Sequence, residues 1–123
     1  LHMLGQAVAA YTDATHGHTL SAVSGAYYRL LIERSEDAAK KFRRLATSVW
    51  DIVPAGKTDK EIASEGLARM EDWMRELGLA MDITACGADP SQLEGMADAC
   101  PINETGYVVL TREDVIDVLR QSL

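Results

Sequence analysis

Apolar residues recur along this chain at intervals of three and four, and almost nowhere in the strict alternation of a strand. That spacing gathers them on one side of successive helices, and each run is bounded by helix punctuation. Met3, Leu4, Ala7, Val8 and Tyr11 make the first stripe, predicting an almost wholly buried helix. Thr12-Asp13-Ala14-Thr15 is a polar break, and a second helix begins near His16 or Gly17. Its stripe is Leu20, Val23, Tyr27, Leu30 and Leu31, ending around Glu33 to Arg34, with Ser21, Ser24 and Gly25 as a close-packing face. Ser35 is placed to cap a third helix, because its hydroxyl can accept from free N–H groups of the next turn. Phe42, Leu45, Ala46, Val49 and Trp50 form that helix's inner face.

Pro54 to Lys57 reads as a turn, and Thr58-Asp-Lys-Glu61 as a capping box. The helix it opens runs to Leu77 with Ile62, Gly66, Met70, Trp73, Met74 and Leu77 inward. Gly78 closes it as the left-handed residue. Residues 79–88 connect through Leu79, Met81 and Ile83. Asp89-Pro90 starts a short helix carrying Leu93 and Met96, which stops before Pro101. Residues 102–110 are irregular; Tyr107-Val-Val-Leu110 has strand propensity but no partner strand. Thr111 opens a last helix with Val115, Ile116, Val118 and Leu119. The expectation is a single all-α domain over 1–123, a bundle of about six helices.

A chain of 123 residues can bury a core without a disulfide or structural metal. Its net charge of −7 argues against nonspecific binding to nucleic acid or anionic membrane, which need a basic face. Lys40, Lys41, Arg43 and Arg44 therefore read as a solvated face balanced by Glu33, Glu36 and Asp37. Cys86 and Cys100 lack metal spacing and read as two half-buried thiols in a reducing cytoplasm. No run of about 20 apolar residues is present to span a membrane, and no charged-then-apolar leader opens the chain. Leu1 is not an initiator Met, and an apolar segment begins at once, as in a chain entered midway through a larger protein.

All three histidines lie between His2 and His18. Neutral imidazole is the commonest metal ligand among side chains, and His16 opens a helix. An antiparallel pair would put His2 and His16 at opposite ends of the first helix, so the helices must cross, or the first must be short, for the rings to meet. Spacing leaves open a site completed by Asp13, and equally two polar histidines near helix ends. No nucleophile elbow, phosphate loop, HExxH or CxxC is present.

His2-Met-Leu-Gly-Gln-Ala-Val-Ala-Ala-Tyr-Thr-Asp-Ala-Thr-His16-Gly, then Thr19-Leu-Ser-Ala-Val, resembles the metal-ligand signature of iron-containing (group III) alcohol dehydrogenases. The butanol-dehydrogenase-like branch is closest. The likeness continues through Trp50-Asp-Ile, Arg75-Glu-Leu-Gly-Leu79 and Leu110-Thr-Arg-Glu-Asp-Val-Ile, covering the whole chain. It implies an N-terminal α/β domain that binds NAD(P) and is absent from this chain, and a C-terminal helical domain that carries iron(II) or zinc on one Asp and three His. His2 and His16 would be the last two histidine ligands, the others lying upstream of Leu1. Gln6 stands where many members have a histidine near the nicotinamide, so the resemblance assigns it to the cofactor side; His18 receives no role. The implied function is the C-terminal fragment of an NAD(P)H-dependent dehydrogenase for small alcohols or aldehydes, inactive alone, cytoplasmic and homo-oligomeric. The alternative is a helical interaction module without catalysis, which predicts a smooth polar surface around the histidines; the dehydrogenase predicts an exposed apolar face.

Overall fold

A computed structural model describes residues 1–102 and 104–123. Among the described residues there are six α-helices and no strand: α1 His2–Ala9, α2 His16–Arg34, α3 Glu36–Val49, α4 Asp59–Glu76, α5 Leu93–Ala99 and α6 Arg112–Arg120. A 3-10 turn, Pro90–Gln92, leads into α5. None of these helices is long and apolar enough to cross a membrane.

The helix ends follow the local chemistry that the sequence displays. Ser35 accepts from the N–H of Ala38, and both bonds of the Thr58–Glu61 capping box are made. Gly78, at φ 76°, closes α4: its N–H donates to the Arg75 carbonyl while that of Leu79 donates to Met74. The pairing is a Schellman closure. Thr111 and Asp114 form a further capping box on α6. After α3, Asp51 takes the left-handed conformation without being glycine (φ 52°); a short polar side chain tolerates it.

Helix α2 is the spine. It is about 28 Å long, and its two halves serve different cores. Ala22, Val23 and Ala26 join Leu4 and Val8 of α1, Ile83, Met96 of α5 and Val115 and Leu119 of α6. Further along, Ile32 packs with Ala39 of α3 and Ala63 and Leu67 of α4. α4 runs antiparallel to α2, as paired contacts show: Lys60 meets Glu33, Glu71 meets Arg29, and Ala80 meets Ser21. α3 and α4 instead run in the same direction. Arg43 lies by Asp59, Ala46 by Gly66 and Trp50 by Trp73. Residues 50–58 are the return path, with Ile52 buried beside Ala46 and Ile62.

This parallel course corrects part of the inward face expected of α3 and α4. Trp73 is 48% exposed, Leu77 58% and Val49 55%. Trp73 lies on the flank of α4 beside Trp50, ring centroids 6.3 Å apart, and does not enter the core. Gly66 does face inward, but for proximity. A Cβ there would sit 2.4 Å from that of Ala46 and 2.9 Å from its Cα. The first helix is shorter than its stripe: it stops at Ala9, and Tyr11 lies beyond it, 39% exposed. The basic face of α3 is balanced by Asp37 and Asp59; Glu33 pairs instead with Lys60. Cys86 and Cys100 are unbonded and more deeply buried than expected, and burial pushes both thiols up.

Two predictions follow from this packing. Gly66→Ala forces α3 and α4 apart and is expected to lower stability by ~1–3 kcal/mol in urea unfolding, despite alanine's better helix propensity. Asp114, buried at the start of α6, is held below the usual carboxylate range chiefly by the Arg34 hydrogen bond, then by the Thr111 N–H. Its contribution is therefore complete above the unfolded Asp value of about 3.9 and lost as pH falls through the lower folded value. Asp114→Asn is expected to cost ~1–2 kcal/mol at neutral pH, discounted because Arg34 is half exposed. The same variant should flatten the acid limb of the stability profile.

Candidate metal centre

The close approach of α1 to α2 is made at Gly5. A Cβ on this residue would stand 2.8 Å from Leu20 Cδ2 and 3.3 Å from the Leu20 backbone nitrogen. His2 is one turn before Gly5 and His16 one turn before Leu20, so both rings project from the same end of the crossing. α1 is only about 12 Å long, and the segment 10–15 spans back alongside it. The two helix starts are thereby neighbours, and the condition left open by spacing is met through a short first helix and a parallel crossing.

The rings touch edge to face, centroids 4.5 Å apart and planes at 78°. His2 Nδ1 lies 3.3 Å from His16 Nε2. Two imidazole nitrogens each about 2.05 Å from one tetrahedral ion would be about 3.3 Å apart. The donor pair thus fits a single cation, and both rings are exposed and accessible. On the other side of His2, the Gln6 amide nitrogen is 3.4 Å from Nε2. Which nitrogen of each pair donates depends on the ring tautomer.

The set ends at two. Among the described residues no group of three or more His, Cys, Asp or Glu converges. Asp13 does not complete the site: it lines a separate open groove with Tyr11, His18 and Cys86. The six-residue return carries Asp13 away from the end of the crossing where the two rings meet. The site's surroundings are apolar on one side. A groove of about 250 Å³ begins at Gly17, next to His16, and runs past Leu20, Tyr28, Met70 and Met74.

His18 has a structural task that spacing did not disclose. Its Nδ1 accepts from the Ala80 N–H at 3.0 Å, and the Ser21 hydroxyl donates to the Ala80 carbonyl at 2.7 Å. Both backbone groups of Ala80 are thus held by α2, which pins the connector after α4 beside the histidine end of the bundle. The one cue in the sequence was Gly78, which ends α4 two residues earlier.

With this geometry in view, the comparisons are decisive about ancestry. The family described as Fe-containing alcohol dehydrogenase, C-terminal, matches residues 1–123. The chain belongs to that family. Within it, the chain is 32% identical over 124 residues to a probable NADH-dependent butanol dehydrogenase 1 of Bacillus subtilis (strain 168), covering 99% of this chain and 31% of the relative. It is 30% identical to that organism's probable NADH-dependent butanol dehydrogenase 2, over 99% of this chain and 32% of the relative. Among solved structures, an archaeal halo-thermophilic Red Sea brine pool alcohol dehydrogenase superposes with TM-score 0.84 at 23% identity, over 99% of this chain and 32% of that one. NADH-dependent butanol dehydrogenase A from Thermotoga maritima superposes with TM-score 0.82 at 20% identity, over 98% and 32%. These likenesses establish the all-helical fold of an iron-type dehydrogenase C-terminal domain. The chain spans about a third of the length of these relatives.

His18→Phe keeps a ring in place but removes the acceptor for Ala80. The Ala80 amide is expected to exchange with solvent about tenfold faster, the equivalent of ~1.4 kcal/mol of lost local protection. Amide exchange read by NMR checks this, and global unfolding should move little.

Proposed function

We propose that this chain is the metal-carrying helical third of an NAD(P)H-dependent alcohol dehydrogenase that interconverts small aldehydes and alcohols. The observation that carries the reading is the His2–His16 pair, two ring nitrogens 3.3 Å apart at one end of the bundle. Family membership and the names of the butanol dehydrogenase relatives support it. The two further ligands, an Asp and a His, come from polypeptide upstream of Leu1, as does the α/β domain that binds the nicotinamide; NADH is the cofactor that the relatives' names favour. The cation is iron(II) or zinc. When bound it supplies Lewis-acid polarisation of the carbonyl or alkoxide oxygen while hydride passes to or from the nicotinamide.

This chain's residues hold and orient. His2 and His16 present lone pairs to one point, so a proton carried on either facing nitrogen shifts to that ring's other nitrogen as the cation enters. Gln6 contacts His2 and remains exposed at the rim. There its amide can hydrogen-bond substrate, water or the nicotinamide amide. An amide does not titrate, so Gln6 orients without relaying a proton. Leu20, Met70 and Met74 line the apolar groove beside His16 and suit cover by the missing domain, where a stand-alone module would present a polar surface. The complete protein is a cytoplasmic homo-oligomer.

In the complete polypeptide, His2→Ala and His16→Ala are each expected to lower metal content and to cut kcat by about 100-fold or more, beyond the 10- to 100-fold cost of losing an outer-shell partner. His18→Phe should retain metal. Metal analysis beside steady-state aldehyde reduction is the check; retention of metal in both alanine variants would sink the assignment. The 123-residue chain alone should show no turnover.

A further inference from the structure

Two contacts of His2 decide which of its nitrogens can meet a cation. Its Nδ1 lies 3.3 Å from His16 Nε2, and its Nε2 lies 3.4 Å from the Gln6 amide nitrogen. A neutral imidazole carries one bare nitrogen and one N–H. A ligating nitrogen must be bare, and it is Nδ1 of His2 that faces the His16 ring. With a cation held between the rings, the His2 proton therefore sits on Nε2 and points at Gln6. The Gln6 nitrogen is also a donor, so the amide in that orientation sets N–H against N–H. Turning the amide over brings Oε1 to the same place and replaces the repulsion with a hydrogen bond. The helix makes this reach available: His2 and Gln6 are four apart on α1, so their side chains are neighbours on one face. Gln6 is exposed, which leaves its amide room to turn.

We propose that Gln6 is a positioning residue of the metal site: its Oε1 accepts from His2 Nε2–H in the loaded state, fixing His2 as an Nδ1 ligand opposite His16 as an Nε2 ligand. The assignment rests on the reading of His2 and His16 as metal ligands and adds which nitrogen each ring uses. An acceptor on the far nitrogen of a ligating histidine sets the ring's orientation and raises its basicity. Oε1 is then committed to His2, and the amide N–H groups are what Gln6 has left to offer an oxygen of substrate or cofactor.

The test titrates the nitrogen-15-labelled chain with zinc, reads the imidazole rings by long-range proton–nitrogen correlation, and measures zinc affinity by calorimetry. His2 Nδ1 and His16 Nε2 are expected to take metal-bound shifts, while His2 Nε2 takes the shift of a protonated nitrogen. Gln6→Leu replaces an exposed residue with an equally good helix former, so the fold is kept. It should weaken zinc binding about tenfold, the low end of the 10- to 100-fold cost of losing an outer-shell partner, because 3.4 Å is long for a hydrogen bond. Gln6→Glu keeps an acceptor at the same reach and should hold or raise the affinity, with the same pattern of shifts. Zinc on His2 Nε2 would overturn the proposal. So would unchanged affinity in Gln6→Leu, or a loss in Gln6→Glu as large as in Gln6→Leu. A failure of the metal reading looks different, since neither ring would respond to zinc in the unsubstituted chain, and the proposal falls with it.

Discussion

The close approach at Gly5 governs the rest of the arrangement. With no Cβ at this position, α1 lies close enough to α2 for the Leu20 side chain and backbone to fill the space. The crossing fixes where both histidine rings project, and it places Leu4 and Val8 in the core shared with α5 and α6. A larger residue would lift α1 away from α2, opening the core and separating His2 from His16 together. The same close approach thus serves both the core and the candidate site.

The bundle is asymmetric in a way that serves this end. α2 ties its far half to α3 and α4 through Ile32, Ala39, Ala63 and Leu67. Gly25 makes room there for the Glu71 carboxylate, which would lie 1.9 Å from a Cβ at that position and is paired with Arg29. The near half is held by longer-range connections: Ala80 by His18 and Ser21, and the Ile83 N–H by the Ser122 carbonyl. At the histidine end the surface is grooved, with an apolar groove past Leu20, Met70 and Met74.

Much of this was legible in the sequence because the deciding physics is local. Caps at Ser35 and Thr58 and the left-handed Gly78 are set by residues within one turn, and the helical stripes by their spacing. What was not legible depends on how elements run relative to one another. Trp73 fits an inward stripe, yet α3 lies parallel to α4 and leaves that flank open. His2 and His16 carry no signal that they meet; a short α1 and the return of residues 10–15 bring them together. His18, next to both in sequence, bonds to Ala80, a partner 62 residues away. The resemblance to iron-type dehydrogenases singled out the first two and left His18 aside.

The central claim is that His2 and His16 form a usable half of a metal site. Anaerobic calorimetric titration of the chain with zinc and iron(II), beside His16→Ala, tests it most directly. The account predicts one ion per chain, and binding weakened about 100-fold or more in the variant. No binding, or binding that His16→Ala leaves unchanged, would contradict it.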